Sequence, residues 1–130
     1  MRVHHVQVMM PTGGDAAARA FWVDGIGLTE VPKPPVLAAR GGSWFRSWAP
    51  DGSVSVEIHV SPDDDFVAAG RAHPALVVDS LAELEALGER LQAAGHRVSW
   101  AERETFAGYL RFHCWDPFGN RVEGLTPRGD

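Results

Sequence analysis

The sequence predicts an α+β fold made of two tandem βαβββ modules. The first observation is that each half opens with a histidine-bearing strand followed by a helix that ends at a glycine. The spacing agrees, because 22 residues separate His5 from Gly27 and also His73 from Gly95. We therefore expect an internal duplication in which each half forms one module.

The second observation is that each half closes with a glutamate-bearing strand. Glu57 follows His5 by 52 residues, and Glu123 follows His73 by 50. Because one such module cannot cover its own sheet face, we expect the pair to form a curved, mostly antiparallel sheet of eight strands around a cavity, with the helices outside. This predicts a single domain over residues 1–130, with modules at about 1–62 and 72–126.

In the first module, β-branched and alternating residues predict four strands, and Asp15 is expected to cap one helix. Prolines 32, 34 and 35 predict a loop between the second and third strands. The predicted strands are Val3–Met10, Thr29–Val31, Ser43–Trp48 and Val54–Val60, and the helix is Ala16–Trp22.

In the second module, Ser80 and Glu83 form a capping box before a leucine-rich helix, Leu81–Leu91, which is expected to end at Gly95. A loop is predicted over Glu102–Gly108, and Asp-Pro-Phe-Gly at position 116 predicts a type I turn. The expected strands are His73–Val78, Arg97–Trp100, Tyr109–Trp115 and Arg121–Leu125.

The composition is that of an ordinary globular protein, with 45% apolar and 22% charged residues in 130. A net charge of −5 argues against a nucleic-acid partner. The single cysteine, Cys114, and the lack of an apolar run at Met1 lead us to expect a cytoplasmic protein. No apolar stretch is long enough to predict membrane insertion.

Four segments together resemble the vicinal oxygen chelate superfamily, which includes glyoxalase I, bleomycin and fosfomycin resistance proteins and extradiol dioxygenases. The resemblance covers nearly the whole chain, and the last segment is the most specific. The segments are His5-Val6-Gln7-Val8, Ala20-Phe21-Trp22 with Gly25-Ile26-Gly27-Leu28, His73-Pro74-Ala75-Leu76-Val77-Val78-Asp79, and Asp116-Pro117-Phe118-Gly119-Asn120-Arg121-Val122-Glu123.

In that superfamily the first and last strands of each module supply metal ligands. The resemblance therefore implies His5, His73 and Glu123 as ligands, completed by Glu57 or His59. Glu57 fits the offset between the halves better, but it shares a strand face with His59. Imidazole and carboxylate ligands suit Ni²⁺, Co²⁺, Zn²⁺, Mn²⁺ or Fe²⁺.

The other histidines have no such argument in their favour. His4 faces away from His5, and neither His96 nor His113 has a comparable position in the repeat.

The resemblance implies a glyoxalase-like enzyme in which the metal chelates two neighbouring oxygens of a small substrate and stabilises an enediolate. This is lyase or isomerase chemistry, and Glu123 and Glu57 are its candidate catalytic bases. If neither Glu57 nor His59 binds metal, the remaining two-histidine, one-carboxylate triad suits an extradiol-type Fe(II) dioxygenase. A third alternative is a metal-free protein of the bleomycin-resistance type that sequesters a flat ligand between aromatic side chains.

Two further expectations concern partners. Met9 stands where close relatives of glyoxalase I carry an arginine for the glutamyl carboxylate of the glutathione conjugate, so that contact is absent. Members of the superfamily commonly join modules across two chains, and exposed sheet edges favour association, so we expect a homodimer.

Overall fold

The computed structural model describes residues 1–129. Contacts between residues divide the chain into two compact units, Met1–Ala68 and a second unit that begins at Ala69. The predicted single domain with modules at about 1–62 and 72–126 stays a prediction.

The first unit contains one four-stranded mixed sheet in the order β1-β4-β3-β2. Strand β1 runs parallel to β4, with Val6 opposite Ile58, and the other two strand pairs are antiparallel. The sheet covers an apolar core in which Phe21, Trp22 and Phe45 are fully buried. The strands are β1 (Val6–Pro11), β2 (Thr29–Val31), β3 (Ser43–Trp48) and β4 (Val54–Asp63).

The helices of the first unit differ from the predicted ones. Helix α1 (Asp15–Arg19) continues as a π-helical segment, Ala20–Gly25. Asp15 is the first helical residue and makes no cap hydrogen bond; its carboxylate instead accepts one from Gly42 N–H at 3.2 Å. The prediction of a loop was wrong at Pro35–Ala38, which forms a one-turn helix, α2. Proline's fixed φ suits the first helical position, so Pro35 can begin a helix although it cannot lie inside one.

The second unit contains a mixed sheet in the order β5-β8-β7-β6. Strand β5 runs parallel to β8, with Ala75 opposite Glu123, and the remaining pairs are antiparallel. The strands are β5 (Ala75–Val77), β6 (Val98–Ser99), β7 (Tyr109–Trp115) and β8 (Arg121–Pro127).

Helix α3 (Leu81–Ala93) confirms the predicted amphipathic helix of the second unit. Ser80 Oγ accepts a hydrogen bond from Glu83 N–H at 3.2 Å, and the Glu83 carboxylate accepts one from Asp79 N–H at 3.0 Å. Buried leucines face the sheet. The helix is followed by Gly95 with φ of 87°, the left-handed conformation that the position after a helix favours.

The fold class is confirmed as α+β with two βαβββ modules and mostly antiparallel strand pairs. Over residues 1–129, hydrogen bonding arranges the strands as two four-stranded sheets rather than as one continuous eight-stranded sheet. Within the same range, no helix combines the length and the apolar character needed to span a bilayer.

Candidate metal site

The predicted hairpin positions two side chains of the candidate site. Asp116 forms the turn: its carbonyl accepts a hydrogen bond from Gly119 N–H at 3.2 Å, and its carboxylate accepts one from Asn120 N–H at 2.8 Å. This closure sets the register of β7 and β8, in which His113 lies directly opposite Glu123. Residues opposite each other in a ladder share a sheet face, so the imidazole and the carboxylate lie side by side.

The third side chain comes from the residue two positions before strand β5. His73 Nε2 lies 2.9 Å from Glu123 Oε2, and His113 Nε2 lies 3.8 Å from the same oxygen. The three potential ligand atoms all lie within 4.8 Å of one another. The fold therefore brings two imidazoles and one carboxylate to a single point in the second unit.

Backbone and arginine contacts orient these ligands. His73 Nδ1–H donates to the carbonyl of Arg71 at 2.7 Å, which directs Nε2 towards Glu123 Oε2. Arg111 donates to the other carboxylate oxygen, Glu123 Oε1, at 3.1 Å. Hydrogen bonds of this kind behind the ligands fix imidazole orientation and carboxylate geometry in metal sites.

The charge states suit a metal at neutral pH. Burial lowers the pKa of His113, more than the nearby Glu123 carboxylate raises it, so its imidazole stays neutral and can ligate. Burial raises the pKa of Glu123, but hydrogen bonds from His73 and Arg111 outweigh that effect and lower it overall. Glu123 is therefore ionised, as a carboxylate ligand must be.

In the first unit, the predicted ligands Glu57 and His59 contact each other, and Glu57 also pairs with an arginine. Glu57 is buried and accepts two hydrogen bonds from Arg46, at 2.8 and 3.1 Å, while His59 Nε2 lies 2.8 Å from Glu57 Oε1. The hydrogen bond from Arg46 is the main reason that the pKa of Glu57 falls to about 2, although burial opposes it. Arg46 thus contacts both carboxylate oxygens of Glu57, whereas Arg111 contacts only one oxygen of Glu123.

His59 lies within an aromatic stack. Its ring is parallel to that of Trp44 at a centroid distance of 4.0 Å and stacks on His5, also at 4.0 Å. His5 Nδ1 lies 3.0 Å from His4 Nδ1. Burial lowers the pKa of His59, which keeps this ring neutral.

The predicted ligands thus fall into two sets: His73 and Glu123 meet in the second unit, while His5, Glu57 and His59 cluster in the first. One ion held by residues from both sets stays a prediction. His113, which the sequence analysis set aside, joins the second set, and within residues 1–129 this is the one group of three ligands found close enough for an ion. Counting back from the Asp116 turn pairs residue 113 with 123, a signal that could have revealed it.

The comparisons with known proteins agree with this fold. Residues 2–123 match the model of the Glyoxalase/Bleomycin resistance protein/Dioxygenase superfamily. The chain belongs to this superfamily. A comparison with curated protein sequences gives no significant match.

Solved structures with this fold include two informative ones. A protein from Bacillus anthracis assigned to the glyoxalase family is 36% identical, with a TM-score of 0.82, over 98% of this chain and 96% of that one. The fosfomycin resistance protein FosX from Listeria monocytogenes is 14% identical, with a TM-score of 0.73, over 98% of this chain and 94% of that one, a likeness of fold alone. Family membership and the His73, His113 and Glu123 group together fit a metal-dependent protein of glyoxalase or dioxygenase type.

Proposed function

We propose that the protein is a metal-dependent enzyme of glyoxalase type, whose divalent ion is held by His73, His113 and Glu123. The observation that carries the proposal is the convergence of these three ligand atoms within 4.8 Å. When bound, the ion would hold two neighbouring oxygens of a small substrate and stabilise the negative charge that develops on them. Three protein ligands leave enough open positions on an octahedral ion for both oxygens.

The geometry supports Glu123 as a ligand more than as a base. A catalytic base needs a pKa near the working pH, whereas the pKa of Glu123 is lowered and one of its oxygens is held by Arg111. Glu57, with a pKa of about 2, is no better suited in its contact with Arg46. Proton transfer by either residue would require release from its arginine, so the predicted catalytic roles stay predictions.

An Fe(II) dioxygenase of extradiol type is the second candidate. One observation favours it: two histidines and one carboxylate are the ligand set typical of non-haem Fe(II) oxygenases. A metal-free sequestering protein has less support, because oriented imidazoles around a buried carboxylate contribute little to binding a flat apolar ligand.

Metal analysis of single variants tests the proposal. His113→Gln, His73→Gln and Glu123→Gln should each reduce metal affinity at least tenfold, because each removes one ligand. His59→Gln, the matched control from the first unit, should keep the metal affinity of the parent; a tenfold loss would instead support the sequence prediction that His59 completes the site. Normal metal content in all three second-unit variants would refute the proposal.

Turnover then separates the two enzyme candidates. A hemithioacetal should be converted without oxygen if the protein is of glyoxalase type. A catechol should be consumed with oxygen, and only by the Fe(II)-loaded protein, if it is a dioxygenase.

The predicted homodimer is part of this proposal, since family members can share modules between chains. Light scattering of the metal-loaded protein measures its oligomeric state. A stable species near the 14.1 kDa chain mass would contradict the dimer.

A further inference from the structure

A cavity of about 450 Å³ lies over His73 and His113 in the second unit. This volume suits a small molecule. Its lining carries three guanidinium groups, from Arg71, Arg111 and Arg121, against the single carboxylate of Glu102. With the buried Glu123 carboxylate below the cavity also counted, three guanidinium groups face two carboxylates, so the site carries a net positive charge before any metal is added.

The Arg111 side chain already donates hydrogen bonds within the protein. Its three nitrogens donate to Glu123 Oε1 at 3.1 Å, to Thr105 Oγ1 at 2.7 Å and to the carbonyl of Glu102 at 3.2 Å. This arginine positions the Glu123 carboxylate and has little capacity left for a ligand.

Arg71 and Arg121 differ from Arg111, because within residues 1–129 neither forms an ion pair with a carboxylate. Arg121 donates through one terminal nitrogen to the carbonyl of Arg71 at 3.0 Å, and the same nitrogen lies 3.3 Å from His73 Nδ1. Its Nε is buried, and no hydrogen-bond acceptor among the described residues reaches it. The described residues therefore satisfy only part of the hydrogen-bonding capacity of this guanidinium group.

We infer that the cavity binds an anionic group of the substrate through Arg121 and Arg71, beside the proposed metal. Guanidinium groups pair with carboxylate or phosphate oxygens through two parallel hydrogen bonds. The inference rests on the proposed function and narrows it: the substrate is a small chelating molecule that also carries a carboxylate or phosphate. A neutral diketone or an unsubstituted catechol lacks the group that these arginines bind.

Two chelators test this. Catechol and 3,4-dihydroxybenzoate both offer two neighbouring hydroxyl oxygens, but only the second adds a carboxylate. Their affinities for the Zn²⁺-loaded protein are measured by calorimetry, because Zn²⁺ has no redox chemistry of its own. The parent should bind 3,4-dihydroxybenzoate about tenfold tighter than catechol, the size expected of a hydrogen bond to a charged group.

Two arginine variants identify the source of that preference. Arg71→Gln removes the guanidinium group but keeps the backbone carbonyl that orients His73, so it should reduce the preference for 3,4-dihydroxybenzoate without weakening catechol binding. Arg121→Gln should reduce the preference further. Arg128→Gln is the matched control, because Arg128 pairs with Glu104 and does not line the cavity. Benzoate and phenyl phosphate as competitors tell a carboxylate site from a phosphate site.

The outcomes distinguish the two proposals. Equal affinity for both chelators in the parent, or a preference that survives both arginine substitutions, would overturn the anionic subsite alone. Absence of Zn²⁺ binding would overturn the proposed function and the subsite with it.

Discussion

The buried pair of Arg46 and Glu57 gives the sharpest prediction about stability. The Glu57 side chain is 3% exposed and its guanidinium partner 30% exposed. We expect Arg46→Met to lower the free energy of unfolding, because it leaves a buried carboxylate without its main cationic partner.

The magnitude follows from the pKa of Glu57, which falls from an ordinary 4.5 to about 2 in the folded chain. Each pKa unit corresponds to about 1.4 kcal/mol, so the contacts of this carboxylate stabilise the fold by about 3 kcal/mol at pH 7. Because the folded pKa is the lower one, this stabilisation is complete above about pH 4.5 and is lost as the pH falls towards 2. Arg46 makes the largest of these contacts and His59 a smaller one, so Arg46→Met should cost most of that amount, about 2–3 kcal/mol at pH 7, and the cost should shrink steadily below pH 4.5.

Urea denaturation of the chelator-treated protein at several pH values provides the measurement. Arg19→Met is the matched control, since Arg19 and Glu30 also form a doubly hydrogen-bonded pair but are 47% and 33% exposed. An exposed pair contributes about 0–1 kcal/mol. If the two substitutions cost the same, or if the cost of Arg46→Met does not change with pH, the assigned role of Arg46 is wrong.

Three further predictions concern the second unit. Gly124→Ala should destabilise the fold by about 1–3 kcal/mol in urea denaturation, because a Cβ there would lie 2.7 Å from the buried Phe112 ring, whereas Gly129→Ala meets open space and should change stability by less than about 0.5 kcal/mol. Ser80→Ala should cost about 1 kcal/mol in thermal or urea unfolding through loss of the α3 cap; no change would show that the cap is dispensable. Burial raises the pKa of Cys114 to about 12, so iodoacetamide should label it only after denaturation, and rapid labelling of the native protein at pH 8 would contradict its burial.

The locally determined parts of the molecule could be predicted from the sequence. The Asp116 turn and the Ser80 cap depend on residues within a few positions of each other, and both formed as expected. The one-turn helix at Pro35 was missed because proline both prevents a helix interior and favours a helix start.

The site depends on which residues lie opposite each other across paired strands, and the spacing of the repeat does not specify this. In each unit an antiparallel strand places one residue opposite the glutamate: Arg46 faces Glu57, whereas His113 faces Glu123. Arg46 pairs with both carboxylate oxygens of Glu57, whereas Glu123 faces a histidine and has an arginine on only one oxygen.

The parallel strand pairs show a second difference between the halves. Val6 pairs with Ile58, but Ala75 pairs with Glu123, so the partners are 52 residues apart in one unit and 48 in the other. The similar histidine-to-glutamate offsets of 52 and 50 residues therefore did not mean equal positions on the sheets.

The connectivity of the second sheet has a consequence for the order in which the protein assembles. His113 and Glu123 are joined by a tight hairpin, which can close within microseconds. His73 precedes Glu123 by 50 residues, and it reaches the carboxylate only after β5 has paired alongside β8. Closing so long a loop is slower than forming the hairpin, so His73, the third candidate ligand, should reach Glu123 last. If the proposed site binds metal, tight metal uptake during refolding from denaturant should coincide with completion of the β5 and β8 pairing and lag behind the appearance of the hairpin.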